Sequence, residues 1–200
     1  MSLEVNIAGD MPHLDASACL DPSATLVGNV RVGPKVYVGA HAVIRADEPG
    51  PDGVVAPIAI GAEANVQDGD ITHALAGTGV TIGPRASIAH GAVVHGPCAI
   101  GEGGFVGFNA IIFNAALGAR VVVMHGALVE GVSIPDGLYV PSMTAIRSRR
   151  DVERLQPTSP ESLVFVARVS AMNVRLAEGR VKRLSRDLHR NERQRGRRHA

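Results

Sequence analysis

The chain has 200 residues, 46% hydrophobic and 3% aromatic with no Trp, which suits a single domain with a long, thin core. Membrane spans, secretory leaders and disulfide scaffolds are not expected as organising features. No stretch is apolar for long enough to cross a bilayer, the start lacks a basic segment followed by an apolar run, and Cys19 and Cys98 cannot make a disulfide framework. A cytoplasmic protein is expected, and its net charge of +1 divides unevenly, −6 over residues 1–179 and +7 over residues 180–200.

Residues 1–13 form a lead-in. From Leu14 an aliphatic residue returns every six positions: Leu20, Leu26, Val32, Val38, Ile44. The count resumes at Ile60, Val66 and Thr72, and again from Ile82 through Ile88, Val94, Ile100, Val106 and Ile112. Leu117, Val123, Val129, Ile134 and Val140 complete it, with two steps of five. Glycine often follows the aliphatic residue, as at Gly39, Gly83 and Gly101, and is expected to relax the backbone near a corner. A small residue often stands four positions on, as at Ala42, Ala64, Ala92 and Cys98. Neither helical nor strand periodicity explains this pattern; a hexapeptide repeat does, and it specifies a parallel β-helix with three hexads per triangular coil. Residues 1–145 are assigned to this all-β solenoid, with loop excursions at 45–59 and 74–81. Cys98, at a small inward position, is expected to pack in the core.

A connector follows, stopped by Pro157. Ser159 and Pro160 read as the cap and first position of a helix. Val164 or Phe165, Val169, Met172 and Leu176 give it an apolar face. Residues 146–185 are therefore read as connector and C-terminal helix packed on the solenoid. Residues 186–200 are read as a basic, disordered tail; it carries no aromatic residues for base stacking, so nucleic acid is not expected as a partner.

The repeat also places the histidines. His73 follows Thr72 and His95 follows Val94, three rungs later, so the two share one column on adjacent coils. Strands there lie about 4.7–4.9 Å apart, close enough for two imidazoles to converge on one ion. Arg45 occupies the same column one coil earlier. His90 belongs to the adjacent face, above Asp68, and the five residues between it and His95 span roughly 16 Å. Within one chain it does not reach that ion; a second copy can supply it. A cyclic trimer with one ion at each closed interface is inferred. His125 shares the column of His90 with Phe108 between them.

These residues carry a family resemblance. Ile44-Arg45-Ala46-Asp47-Glu48, Asn65-Val66-Gln67-Asp68-Gly69, His73-Ala74-Leu75, Ala89-His90, Val94-His95-Gly96-Pro97, Ile134-Pro135-Asp136-Gly137 and Asn173-Val174-Arg175-Leu176-Ala177-Glu178-Gly179 resemble the gamma-class carbonic anhydrases. The resemblance implies a left-handed β-helix trimer with a C-terminal helix. It implies zinc, with iron or cobalt as alternatives, on His73 and His95 of one subunit and His90 of its neighbour. The reaction implied is reversible hydration of carbon dioxide to bicarbonate by hydroxide generated on the metal. Gln67 is implied to orient the nucleophile, Asn65 and Glu48 to shape the hydrogen bonding, and Asn173 to lie near substrate. Arg45, Asp47 and Asp68 are implied to form an inter-subunit salt-bridge set. Two departures stand out. A short loop carries Ala76 where highly active members have a proton-shuttling glutamate, and Ala171 replaces a tyrosine near the active site. The alternatives are a metal-dependent thioesterase or other hydrolase on the same site, and a low-activity structural or assembly homologue.

Overall fold

A computed structural model describes residues 1–196, except for the side chains of 184, 185 and 187–196. The chain winds into a left-handed parallel β-solenoid of about seven turns, with a helix laid along it. Successive strands fall in rotation onto three sheets of eight, seven and eight strands. The first face includes Val43–Ala46, Ile71–Ala74 and Val93–Gly96. The second includes Ile58–Ile60, Val80–Ile82 and Cys98–Ile100. The third includes Asn65–Val66, Ser87–Ile88 and Phe105–Val106.

The six-residue count sets this architecture because one aliphatic side chain per hexad points into the prism. Ile44, Val66, Ile88, Val94, Val106 and Ile112 are fully buried, and each such burial is worth about 1.5–3 kcal/mol. Ala42, Ala64, Ala86, Ala92 and Ala110 fill the narrow corners. Ser2–Glu4, paired with Thr25–Val27, is the last strand of its sheet at one end of the stack. Towards the other end, Val152 and Leu155, in and just after the short helix α1 (Arg149–Val152), pack on the core.

Glycine after the aliphatic residue serves a purpose other than the one expected. The left-handed backbone at corners is taken by side-chain-bearing residues such as Lys35, Glu63, Arg85 and Arg120, with φ of 55°, 62°, 57° and 56°. Gly39 and Gly101 are needed because successive coils touch there. A Cβ on Gly39 would collide with Asp68 Oδ1 and lie 2.6 Å from Asp68 N, and one on Gly101 would collide with the Gly118 backbone.

Helix α2 (Pro160–Gly196) starts where Ser159 Oγ accepts the Ser162 N–H. It lies on the outer side of the third face. Two sequence expectations change here. The buried stripe is Val166, Ser170, Asn173 and Ala177, whereas Val164, Phe165, Met172 and Leu176 remain exposed. Small residues face the sheet because the helix sits close over Tyr37, Phe105 and Val122, which leaves the larger apolar side chains along its flank. The helix also continues to Gly196, through most of the 186–200 segment expected to be disordered. The run from Arg180 to Arg195 contains neither Gly nor Pro and is rich in Arg, Leu and other good helix formers. Residues 197–200 lie outside the described residues. Arg180 pairs with Asp21 at 3.0 Å and lies over the Tyr37 ring, and Lys35 pairs with Glu178 at 3.2 Å. From Pro160 to Arg180 the helix advances about 30 Å, close to the height of the stack.

Candidate functional site

The strand register sets the first group of site residues. On the first face His73 lies opposite Arg45 on one side and His95 on the other. His73 Nδ1 and His95 Nε2 approach to 3.2 Å, with the rings edge to face at 4.9 Å between centroids. Outward residues of adjacent parallel strands stack in register, so the hexad spacing produces this meeting directly. His73 Nε2 faces Asp47 Oδ1 and Glu48 Oε1, each at 3.4 Å. Arg45 holds Asp47 Oδ2 through Nε at 3.0 Å and its terminal nitrogen at 2.8 Å. Glu48 Oε2 accepts the Ala76 N–H at 3.0 Å, which ties the 45–59 and 74–81 excursions together beside the histidines.

A second group gathers on the third face, around a cavity of about 470 Å³ under the flank of α2. Gln67, Asp68, His90, Phe108, Phe165 and Asn173 are among its lining residues. Asn65, fully buried, donates from Nδ2 to Ser87 Oγ at 2.8 Å and accepts from Gln67 Nε2 at 2.9 Å. With its amide nitrogen so engaged, Gln67 directs its oxygen away from Asn65. Asp68 Oδ1 accepts the Ala40 N–H at 2.8 Å, while Oδ2 lies 3.4 Å from His90 Nδ1. Asn173 Nδ2 donates to Val169 O at 3.0 Å, which fixes the side chain against its own helix. His90 packs on Phe108, which stacks on His125 at 4.3 Å.

The site residues read from the sequence therefore form two clusters, not one. Arg45, Asp47, Glu48, His73 and His95 stand on the first face. Asn65, Gln67, Asp68, His90 and Asn173 stand on the third face. Asp68 does not meet Arg45 and Asp47 within the chain. Ala171 lines a separate groove with Arg85 and Glu102, on the opposite flank of α2 from His90. Ser87 was not singled out in the sequence, although the hexad count places it opposite Asn65. Cys98, whose Sγ donates to His95 O at 3.1 Å, supports the strand turn below the histidine; burial pushes its thiol pKa up, as suits a packed residue.

In the first cluster, His73 Nδ1 and His95 Nε2 are placed so that the pair could hold a metal ion between them. Two nitrogens that each lie about 2.0–2.1 Å from a tetrahedral ion stand about 3.3–3.4 Å apart, close to the 3.2 Å between His73 Nδ1 and His95 Nε2. Among the described residues, four buried side-chain polar atoms have no hydrogen-bond partner, and three of them are Asp47 Oδ1, His73 Nε2 and His95 Nδ1. A carboxylate facing the outer nitrogen of a histidine is also the usual support for a ligating imidazole. No three His, Cys, Asp or Glu side chains converge as a metal site among the described residues of one chain.

Comparison with known proteins adds lineage to this geometry. No family model matches the chain. It is 33% identical to a carbonic anhydrase of Methanosarcina thermophila over 195 residues, covering 84% of this chain and 74% of that protein. It is 38% identical to the carboxysome assembly protein CcmM of Synechococcus elongatus over 168 residues, covering 79% of this chain but only 30% of that longer protein. The carnitine operon protein CaiE of Escherichia coli is 38% identical over 109 residues, 54% of this chain and 52% of that one. Among solved structures, a hexapeptide transferase family protein from Anaplasma phagocytophilum superposes with a TM-score of 0.74 over 89% of this chain and 97% of that one. Its 22% identity speaks for the fold alone. With a relative of this similarity matched over most of both lengths, the chain belongs to the gamma-class carbonic anhydrase family.

Proposed function

We propose that the protein is a metal-dependent carbonic anhydrase, acting as a homotrimer with its sites at the subunit interfaces. The observation that carries this reading is the convergence of His73 Nδ1 and His95 Nε2 to 3.2 Å, with the Asp47 and Glu48 carboxylates facing the outer nitrogen of His73. His73 and His95 would hold one divalent ion together with His90 of a neighbouring subunit; zinc, iron and cobalt all suit three imidazoles. When bound, such an ion supplies Lewis acidity that brings the pKa of water toward 7. The apolar stripe beside the histidine column, including Ile71 and Ile111 with 48% and 42% exposure, fits burial against a second copy.

The chain's own residues then divide the work. Gln67, its amide nitrogen occupied by Asn65, offers its oxygen to accept an O–H from the attacking water and so aims a lone pair at carbon dioxide. Asn65, itself anchored on Ser87, keeps the amide from turning over. The cavity walled by Phe165, Phe108 and Asn173 gives an apolar approach for an uncharged, linear substrate. As the water oxygen bonds to carbon, one proton must leave. Glu48, half-exposed with Oε1 toward His73 and Oε2 fixed by Ala76, is the carboxylate positioned to pass it to solvent. Asp47 neutralises Arg45, and in the trimer Asp68 of a neighbour completes that charge set.

The reading is tested by metal analysis and stopped-flow hydration on the metal-loaded protein. Hydration above buffer, abolished in His90→Ala, is the expected result. No hydration from fully metallated protein, together with turnover of an acyl-CoA panel, would instead identify a hydrolase on the same centre. A second reading, a low-turnover assembly protein, is favoured by one feature: Ala76 contributes only a backbone N–H where a shuttling carboxylate would help. Imidazole buffer separates the two, because an external base replaces a missing shuttle but does not restore a dead site.

A further inference from the structure

The coil that carries His73 breaks the pattern of the core at two points. On five other coils of the first face, the inward positions hold Ala24 and Leu26, Ala42 and Ile44, Ala92 and Val94, Ala110 and Ile112, and Ala127 and Val129; the last coil has the half-buried Thr144 with Ile146. On this coil they hold Asp70 and Thr72, both with 0% exposure. Thr72 Oγ1 donates to Asp70 Oδ1 at 2.8 Å, and Asp70 Oδ2 has no partner. Among the described residues, the groups around this carboxyl offer no compensating charge. Ala42 and Ala92 stack on it from the adjacent coils, and the second face turns Ile58, Ile60, Val80 and Ile82 inward. The nearest titratable residues in sequence, Asp68 and His73, have outward side chains. The other titratable core side chain on these coils, Cys98, is neutral at ordinary pH and directs its Sγ to His95 O and Ile112 O.

We propose that Asp70 and Thr72 form a proton-dependent clasp inside the solenoid, which holds the His73 strand in place while Asp70 is protonated and loosens it once the carboxyl is charged. A charged, unpaired carboxylate at this depth has no favourable site. Burial accordingly raises the Asp70 pKa from 3.8 to about 8, against a smaller lowering by the Thr72 hydroxyl. The sign of the linkage follows. Unfolded, Asp70 ionises in the ordinary carboxylate range; folded, it keeps its proton to about pH 8. Between those limits the folded state binds one proton more, so stability is greatest in acid and falls as pH rises, by up to about tenfold per pH unit in the folding equilibrium. Above the folded pKa the loss is complete and the dependence flattens. This inference does not depend on metal binding, and its measurement requires no activity.

The test compares thermal melting of the metal-free full chain between pH 5 and 9 for wild type, Asp70→Asn and the double variant Asp70→Ala/Thr72→Val. The double variant restores the apolar pair used by neighbouring coils and is expected to fold. Wild type should lose about 3–5 °C per pH unit up to about pH 8 relative to the double variant, and Asp70→Asn should share the flat profile of the double variant. Isotope-edited infrared spectroscopy should show a protonated carboxyl in wild type at pH 6.5 that is absent from Asp70→Asn. Parallel pH profiles for all three proteins, or an ionised Asp70 at pH 6.5, would overturn the proposal.

Discussion

Asn65→Ala isolates the polar chain behind the candidate nucleophile site. Asn65 is fully buried, gives one hydrogen bond to Ser87 Oγ at 2.8 Å and receives one from Gln67 Nε2 at 2.9 Å. Truncation leaves both partners without their bond in a place where Ser87 is fully buried and Gln67 is 6% exposed. At about 1–3 kcal/mol for each buried polar group left unpaired, the expected loss is about 2–6 kcal/mol, or roughly 5–20 °C in melting temperature for a chain of this size. Gln67→Ala removes only the donor and should cost about half as much; the double variant should cost less than the sum, with a coupling of about 0.5–3 kcal/mol. The assays are calorimetry and stopped-flow hydration. With Gln67 free to turn, kcat should fall by about 10–100-fold, as misplacement near a reacting group does, with little change in metal content. Melting within about 1 °C of wild type, or strict additivity of the two substitutions, would refute the claim that Asn65 fixes Gln67.

Three further outcomes are expected. Gly39→Ala should destabilise by about 1–3 kcal/mol and lower activity, because its Cβ collides with the Asp68 side chain that adjoins Gln67; circular dichroism melts and hydration rates check this. Glu48→Gln should reduce turnover in weak buffer and recover in concentrated imidazole, because only the proton exit is removed; an uncorrected defect would place Glu48 in metal or substrate binding instead. Arg45→Ala should leave Asp47, near His73, without its cation and weaken the trimer, seen as dissociation on dilution in analytical ultracentrifugation.

Much of this molecule was readable in the sequence because a solenoid converts linear spacing into position. Six residues per rung and three rungs per coil put His73 opposite both Arg45 and His95, and His90 beside Asp68. The helix was harder. Its apolar residues mark a face, but which face is buried depends on how close the backbone approaches the sheet, and Ala177 and Ser170 permit an approach that the larger side chains do not. Helical continuation past residue 185 followed local propensity, which the positive charge of that segment obscured. Asp70 was within reach of the same count: it stands four residues after Val66, at a position where alanine is the rule. Hexad spacing sets the two site clusters on different faces of one chain, and only the proposed trimer would bring them together.

Subunit mixing tests directly whether the metal site is shared between chains. His73→Ala keeps His90 intact, and His90→Ala keeps His73 and His95 intact; each homotrimer should bind little metal and show no hydration. Unfolded together in equal amounts and refolded, the two variants should form mixed trimers in which one interface of three is whole, restoring about a quarter of the wild-type metal and activity. No recovery on mixing, or full activity in the His90→Ala homotrimer, would contradict a site shared between chains.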